Sequence, residues 1–134
     1  MALNKTEYGL KKEVDTTYED TIIKITDELK KEGFGILTEI DVKKTLKAKI
    51  DEDFTKYVIL GACNPNLAIK ALREEIDMGL LLPCNIVVYE NPENSKTVVA
   101  AIDPSTMLQV TGRDDLKEFS DQVGQKLSSA LERV

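Results

Sequence analysis

Apolar residues recur along this chain at two spacings, and each spacing predicts a different kind of element. From Tyr18 to Leu29 they recur every three or four residues, which predicts a helix over 17–32. Thr16 is the predicted N-cap of this helix, and Gly33 suits the left-handed position just beyond its end. The same spacing predicts further helices near 42–49, 65–76 and 114–134.

Short apolar or alternating runs, bounded by turn-forming residues, predict strands. They cover 8–14, 34–39, 57–63, 84–90 and 97–102. The first strand fits a sheet edge, where Lys11 and Lys12 would discourage pairing with other chains. The third is apolar at nearly every position, which predicts burial on both faces of the sheet. The last two are joined by a short polar loop and must therefore pair antiparallel.

The order of these elements, β-α-β-α-β-α-β-β-α, predicts an α+β fold. The length of 134 residues suits a single domain, 1–134, with its core over about 8–133. The order favours a mixed or largely antiparallel sheet packed with helices. If the main helices cover one face of the sheet, the apolar residues of the other face need a second cover. We expect a homodimer to provide it.

Composition narrows the classes of function. The net charge of −6 argues against binding to nucleic acid or to an anionic membrane surface, because both require a basic face. No apolar run approaches the roughly 20 residues of a membrane-spanning helix, and the start of the chain lacks a signal-peptide core. We therefore expect a cytoplasmic protein. The absence of histidine excludes Ser-His-Asp and Cys-His catalysis and His-ligated zinc.

The two cysteines stand in similar motifs, Ala-Cys-Asn-Pro at 62–65 and Leu-Pro-Cys-Asn at 82–85. Cys63 directly precedes a predicted helix, whose N-terminal partial charge stabilises a thiolate. Burial as a small apolar residue explains Cys63 and Cys84 more simply. If both thiols lie at one end of the sheet, three outcomes are open: two buried thiols, a redox dithiol, or half of a metal site completed across a dimer.

Asparagine follows cysteine in both motifs. Asn64 is most simply the N-cap of the next helix. Asn85 lies inside a strand, so its amide either hydrogen-bonds the backbone of the other motif or contacts a ligand. The first alternative, an internal polar clamp, is favoured because a buried amide needs partners whether or not a ligand is bound.

Three carboxylates fall at predicted strand ends, namely Glu39, Asp41 and Asp103. Gathered at one edge of the sheet, they could bind a cation or act as general bases. Helix capping by Asp41 and turn formation by Asp103 before Pro104 are simpler explanations for two of them. Glu39 has no such explanation and is retained as a candidate site residue.

Four segments together resemble the DUF302 family, small bacterial and archaeal domains of unknown function. They are 34–41, 57–65, 79–90 and 101–104. The combination of Ala-Cys-Asn-Pro with Leu-Pro-Cys-Asn at this spacing carries the resemblance, which extends over about 8–133. It implies an α+β sandwich that forms a dimer, and it implies no particular activity, substrate or cofactor.

Two functions are compatible with these observations. The first is a homodimeric module that binds a small molecule or a protein partner near the two Cys-Asn motifs. Its candidate site residues are Cys63, Asn64, Cys84, Asn85, Glu39 and Asp103. The alternative is a thiol-dependent redox or transfer protein that uses Cys63, with or without Cys84. A soft-metal site shared across a dimer is a third hypothesis, because thiolates suit soft metals.

Overall fold

The computed structural model describes residues 2–134, which form one α+β domain. The strands are β1 (Asn4–Lys5), β2 (Gly9–Val14), β3 (Gly35–Asp41), β4 (Tyr57–Cys63), β5 (Cys84–Glu90) and β6 (Thr97–Ile102). The helices are α1 (Tyr18–Lys31), α2 (Val42–Ile50), α3 (Pro65–Glu74), α4 (Thr106–Thr111) and α5 (Lys117–Glu132). Two 3₁₀ turns cover Ile76–Leu81 and Asp114–Leu116. The predicted fold class is confirmed, and β1, α4 and the 3₁₀ turns are additions to the predicted order.

The strands form a single sheet in the order β1-β2-β6-β5-β4-β3, and every neighbouring pair is antiparallel. The prediction that β2 is an edge strand is wrong, because the short strand β1 pairs with its outer side. The two motifs are adjacent in this sheet, since Ala62 lies opposite Cys84 on the neighbouring strand. Strand pairing therefore accounts for their position at the same end of the sheet.

One face of the sheet carries the hydrophobic core. Val58, Val88 and Val99 lie side by side across β4, β5 and β6, and none is more than 2% exposed. Helices α1 and α5 pack over this row, with Ile25 and Leu127 fully buried against it. The three valines share one face because side chains alternate along each strand and the registers align them.

Polar contacts hold the two helices together at their C-terminal ends. Glu28 of α1 is buried, and its carboxylate accepts hydrogen bonds from Arg133 and Lys31. Arg133 also pairs with Glu32 at 2.9 Å. These cations, Arg133 above all, lower the pKa of Glu28 to about 2. The carboxylate therefore stays ionised in this setting.

The local signals predicted at the helix ends are confirmed only in part. Helix α1 matches its predicted span to within a residue, but its N-cap is Thr17 and not Thr16. The Thr17 side chain accepts a hydrogen bond from the backbone amide of Asp20. The Thr16 hydroxyl is instead hydrogen-bonded to the hydroxyl of Thr21. Asp41 caps α2 as predicted. The helix predicted over 114–134 begins later, at Lys117, after a 3₁₀ turn over Asp114–Leu116 and without a side-chain cap.

The second face of the sheet is uncovered in a single chain, and we call it the open face. Its central side chains are Tyr57, Ile59, Val87, Tyr89, Ala100 and Ile102. All six are only partly buried, so the prediction that 57–63 is buried on both faces is wrong for a single chain. Alternate residues of β4, such as Val58 and Leu60, point into the core. The apolar run thus contains one core row and one half-exposed row.

Candidate functional site

A shallow cavity of about 480 Å³ lies on the open face. Val87, Ala100 and Ile102 supply its apolar floor, and β2 with the turn before it supplies one side. Tyr8, Tyr57, Tyr89, Lys11 and Asn85 complete the principal lining. Small residues make the depression possible: a side chain on Gly9 would meet the carbonyl oxygen of Ala101 at 3.1 Å.

Asn85 is the one predicted site residue that lines this cavity. Its side chain is exposed, and within residues 2–134 it forms no hydrogen bond with another side chain or with the backbone. The predicted internal clamp is therefore wrong. The two segments meet instead through apolar contact between Gly61 and the Pro83 ring. A Cβ placed on Gly61 would stand 2.7 Å from Cγ of Pro83. Asn85 is left available to a ligand.

Asn64 has the structural role predicted for it. Its side-chain oxygen accepts from the amide of Leu67 at 3.4 Å, which caps α3. Its amide nitrogen donates to the carbonyl of Glu32 at 3.2 Å, just beyond the end of α1. With both ends of its side chain engaged, Asn64 joins two helices and is not free for a ligand.

Two tyrosines and a lysine form the most structured part of the cavity. The rings of Tyr57 and Tyr89 lie opposite each other on β4 and β5, stacked with centroids 5.2 Å apart and planes 7° from parallel. The Lys11 ammonium lies 5.8 Å from the centroid of Tyr89. Interaction with the phenol of Tyr89 raises the pKa of Lys11, and burial raises the pKa of Tyr57. The cavity therefore places a lysine ammonium beside tyrosine hydroxyl groups.

The two cysteines lie outside this cavity. Together with Asn64 they line a narrow space of about 20 Å³ beneath the sheet end, and both are free thiols. Burial, followed by the proximity of Cys63, raises the pKa of Cys84 to about 11. Cys63 lies one register step beyond the Ala62–Cys84 pair, so the two side chains leave opposite faces of adjacent strands. Both cysteines are free thiols, and thiol chemistry at Cys63 stays a prediction.

The three candidate carboxylates, Glu39, Asp41 and Asp103, do not gather at one edge of the sheet, so the possible cation or general-base site is not formed. Asp41 lies level with Val58, at the end of the sheet opposite Asp103. Burial by itself would raise the pKa of Asp103, but hydrogen bonds from Ser105 and the charge of Lys5 outweigh burial and lower it. Asp103 is thus a turn residue. Glu39 is exposed on the edge strand β3 and remains without a structural role.

The described part of the chain contains neither a metal-binding cluster nor a membrane-spanning helix. Among residues 2–134, no group of three or more Cys, Asp and Glu side chains is placed to hold a metal ion. In the same part of the chain, no helix combines the length and the apolar character needed to cross a membrane.

Sequence reasoning missed the contribution of Lys11, Tyr57 and Tyr89 to this site. Lys11 was interpreted as protection of a strand edge, and the two tyrosines were not among the candidate site residues. The signal that could have found them is alternation: odd-numbered residues of β2, β4 and β5 share the open face. That signal becomes usable only when the strand order is known.

The fold and the cavity define a class: small α+β domains with one antiparallel sheet, helices on one face and an open apolar face. A family model described as "Domain of unknown function DUF302" matches residues 10–134. The chain therefore belongs to the DUF302 family, as its motifs indicated. It is also similar to the crystal structure of an uncharacterized conserved DUF302 protein from Bacillus stearothermophilus, with 31% identity and a TM-score of 0.88. The similarity covers 96% of this chain and 98% of that one. No curated protein matches the sequence.

Proposed function

We propose that this domain is a homodimeric module that binds a small molecule in the open-face cavity. The observation that carries the proposal is the exposed amide of Asn85, without an intramolecular partner, at the edge of an apolar floor. Small-molecule sites combine apolar walls with a few polar groups that fix orientation, and their volumes run from about 300 to 1,000 Å³. The cavity volume of about 480 Å³ falls in this range.

A second copy of the chain is the cover we propose for the rest of the open face. Large apolar side chains at its margins are exposed, with Tyr8 at 70%, Ile40 at 48% and Phe54 at 44%. Contact between two open faces would also enclose the cavity and exclude water from it.

Ligand binding can be tested by NMR on the ¹⁵N-labelled protein with a library of small acids, amides and amines. Ligands should shift the backbone amide signals of Asn85, Val87 and Ala100, which line the cavity. Val87→Lys should abolish the shifts because a long charged side chain fills the floor. Ile23→Lys is the matched control, since Ile23 is 61% exposed on α1. Shifts that map elsewhere, or that survive Val87→Lys, would refute the site.

Dimer formation can be tested by sedimentation velocity at micromolar concentration. We expect twice the chain mass of 15.0 kDa for the unmodified protein and for Ile23→Lys. Ile40→Lys should give the monomer mass, because it places an ammonium within the proposed interface. A monomeric unmodified protein would contradict the dimer and leave the NMR test of the cavity unaffected.

A further inference from the structure

The open-face cavity contains one neutral amide and one ammonium, and this combination indicates the chemical class of the ligand. Asn85 offers an uncharged donor and acceptor, whereas Lys11 offers a cation. The registers Lys11–Ala100 and Ala100–Val87 place Lys11 two strands from Val87, and Asn85 lies two residues along β5 from Val87. Strand geometry then separates the Cα atoms of Lys11 and Asn85 by about 12 Å.

Lys11 is available to an anionic group. Within residues 2–134 no carboxylate forms an ion pair with it, although the chain as a whole is acidic. Its nearest acidic neighbour on the strand, Glu13, already interacts with Lys96 at 3.8 Å and Asn94 at 3.2 Å. Glu7, the one carboxylate in the cavity lining, belongs to the turn before β2, at the end away from Tyr89.

The surface between these polar groups is apolar and flat. Val87, Ala100 and Ile102 present only short side chains, and the stacked Tyr57–Tyr89 pair stands at one end. Ring edges and faces of tyrosine favour contact with another planar π-system. A body of one or two fused rings fits the span between Lys11 and Asn85 better than a flexible chain, because less conformational freedom is lost on binding.

We infer that the cavity takes a small organic acid with a flat apolar body, whose acidic group pairs with Lys11 and whose far edge meets Asn85. This assignment rests on the proposed function, since it names the ligand class of that same cavity. A charge-assisted hydrogen bond to the ammonium would select the acid over an uncharged isostere.

The test compares two probes of equal shape, 2-naphthoic acid and 2-naphthamide, by calorimetric titration of the 134-residue chain. We expect the acid to bind about tenfold more tightly than the amide, a difference that one charge-assisted contact can supply. Lys11→Met should weaken binding of the acid to the level of the amide and leave the amide unchanged. Lys30→Met, an exposed lysine at the end of α1, is the matched control and should change neither.

The outcomes separate this inference from the proposed function. Equal affinities for acid and amide, both abolished by Val87→Lys, would overturn the acid class while supporting the cavity. Preference for the acid that persists in Lys11→Met would overturn the role of Lys11. If neither probe binds, the ligand class is wrong, and the NMR screen decides independently whether the cavity binds other molecules. Binding that is insensitive to both Lys11→Met and Val87→Lys would contradict the two proposals together.

Discussion

Lys12 offers the sharpest test of how this fold is held together. It is 7% exposed and points from β2 into the helical side of the sheet. Its ammonium donates to the backbone carbonyls of Leu131 at 3.3 Å and Glu132 at 2.9 Å, the last two residues of α5, and to that of Val134 at 3.1 Å, just beyond the helix. The last carbonyls of a helix lack intrahelical partners and carry its partial negative charge. Lys12 therefore acts as a cationic cap supplied by a distant strand.

The substitution Lys12→Met keeps the side-chain volume and removes the charge. Hydrogen bonds to charged groups contribute about 1.5–3 kcal/mol each, and a partly buried cation at a helix C-terminus up to about 2 kcal/mol. These contributions overlap, and relief of the buried ammonium's desolvation offsets part of the loss. We expect the free energy of unfolding to fall by about 2 kcal/mol, equivalent to a decrease of about 7 °C in Tm for a chain of this size.

The measurement is urea unfolding followed by circular dichroism at pH 7, at one fixed protein concentration because a dimer would couple stability to concentration. Lys11→Met is the matched control: the same change at the neighbouring position, on the open face, with an expected effect below about 0.5 kcal/mol. The m-value should stay constant in both variants. If Lys12→Met and Lys11→Met are equally stable, the three hydrogen bonds of the Lys12 ammonium make no net contribution to the free energy of unfolding.

Three further predictions follow from other parts of the fold. Gly61→Ala should destabilise by about 1–3 kcal/mol through overpacking, because its Cβ would collide with the Thr38 hydroxyl; Thr38→Ala should restore part of the loss in a double-mutant cycle of urea unfolding. In alkylation of the native protein followed by mass spectrometry, Cys84 should stay unmodified until unfolding, since it is buried with a pKa of about 11, and an early reaction at Cys84 would contradict its burial. The half-buried Cys63 should react first. The Glu28 pKa is lowered from 4.5 to about 2, so its stabilising effect is complete above pH 4.5 and disappears as the pH falls towards 2. Glu28→Gln should therefore flatten the pH dependence of Tm between those values, and an unchanged profile would refute the ion-pair network.

The candidate site was predictable only in part. Asn85 was retained as a candidate because an amide inside a strand has no local partner, and its side chain is indeed exposed in the structure. The reason given for it, an internal clamp, was wrong, since the Asn85 side chain lies on the open face and forms no hydrogen bond within residues 2–134. Glu39 and Asp103 were grouped because both end predicted strands, but Glu39 lies within β3, which is three strands away from β6, the strand that precedes Asp103.

The sequence by itself determined the features that depend on near neighbours in the chain. The spans of α1, β4, β5 and β6 and the cap at Asn64 follow from periodicity and from side chains within four residues. Only the tertiary structure decided which alternate side chains of each strand face the helices, because register and strand order arise from pairings between distant segments. Lys11 and Lys12 show the difference. Adjacent and chemically identical, they have separate environments: one lies on an open cavity and the other caps a helix 120 residues away.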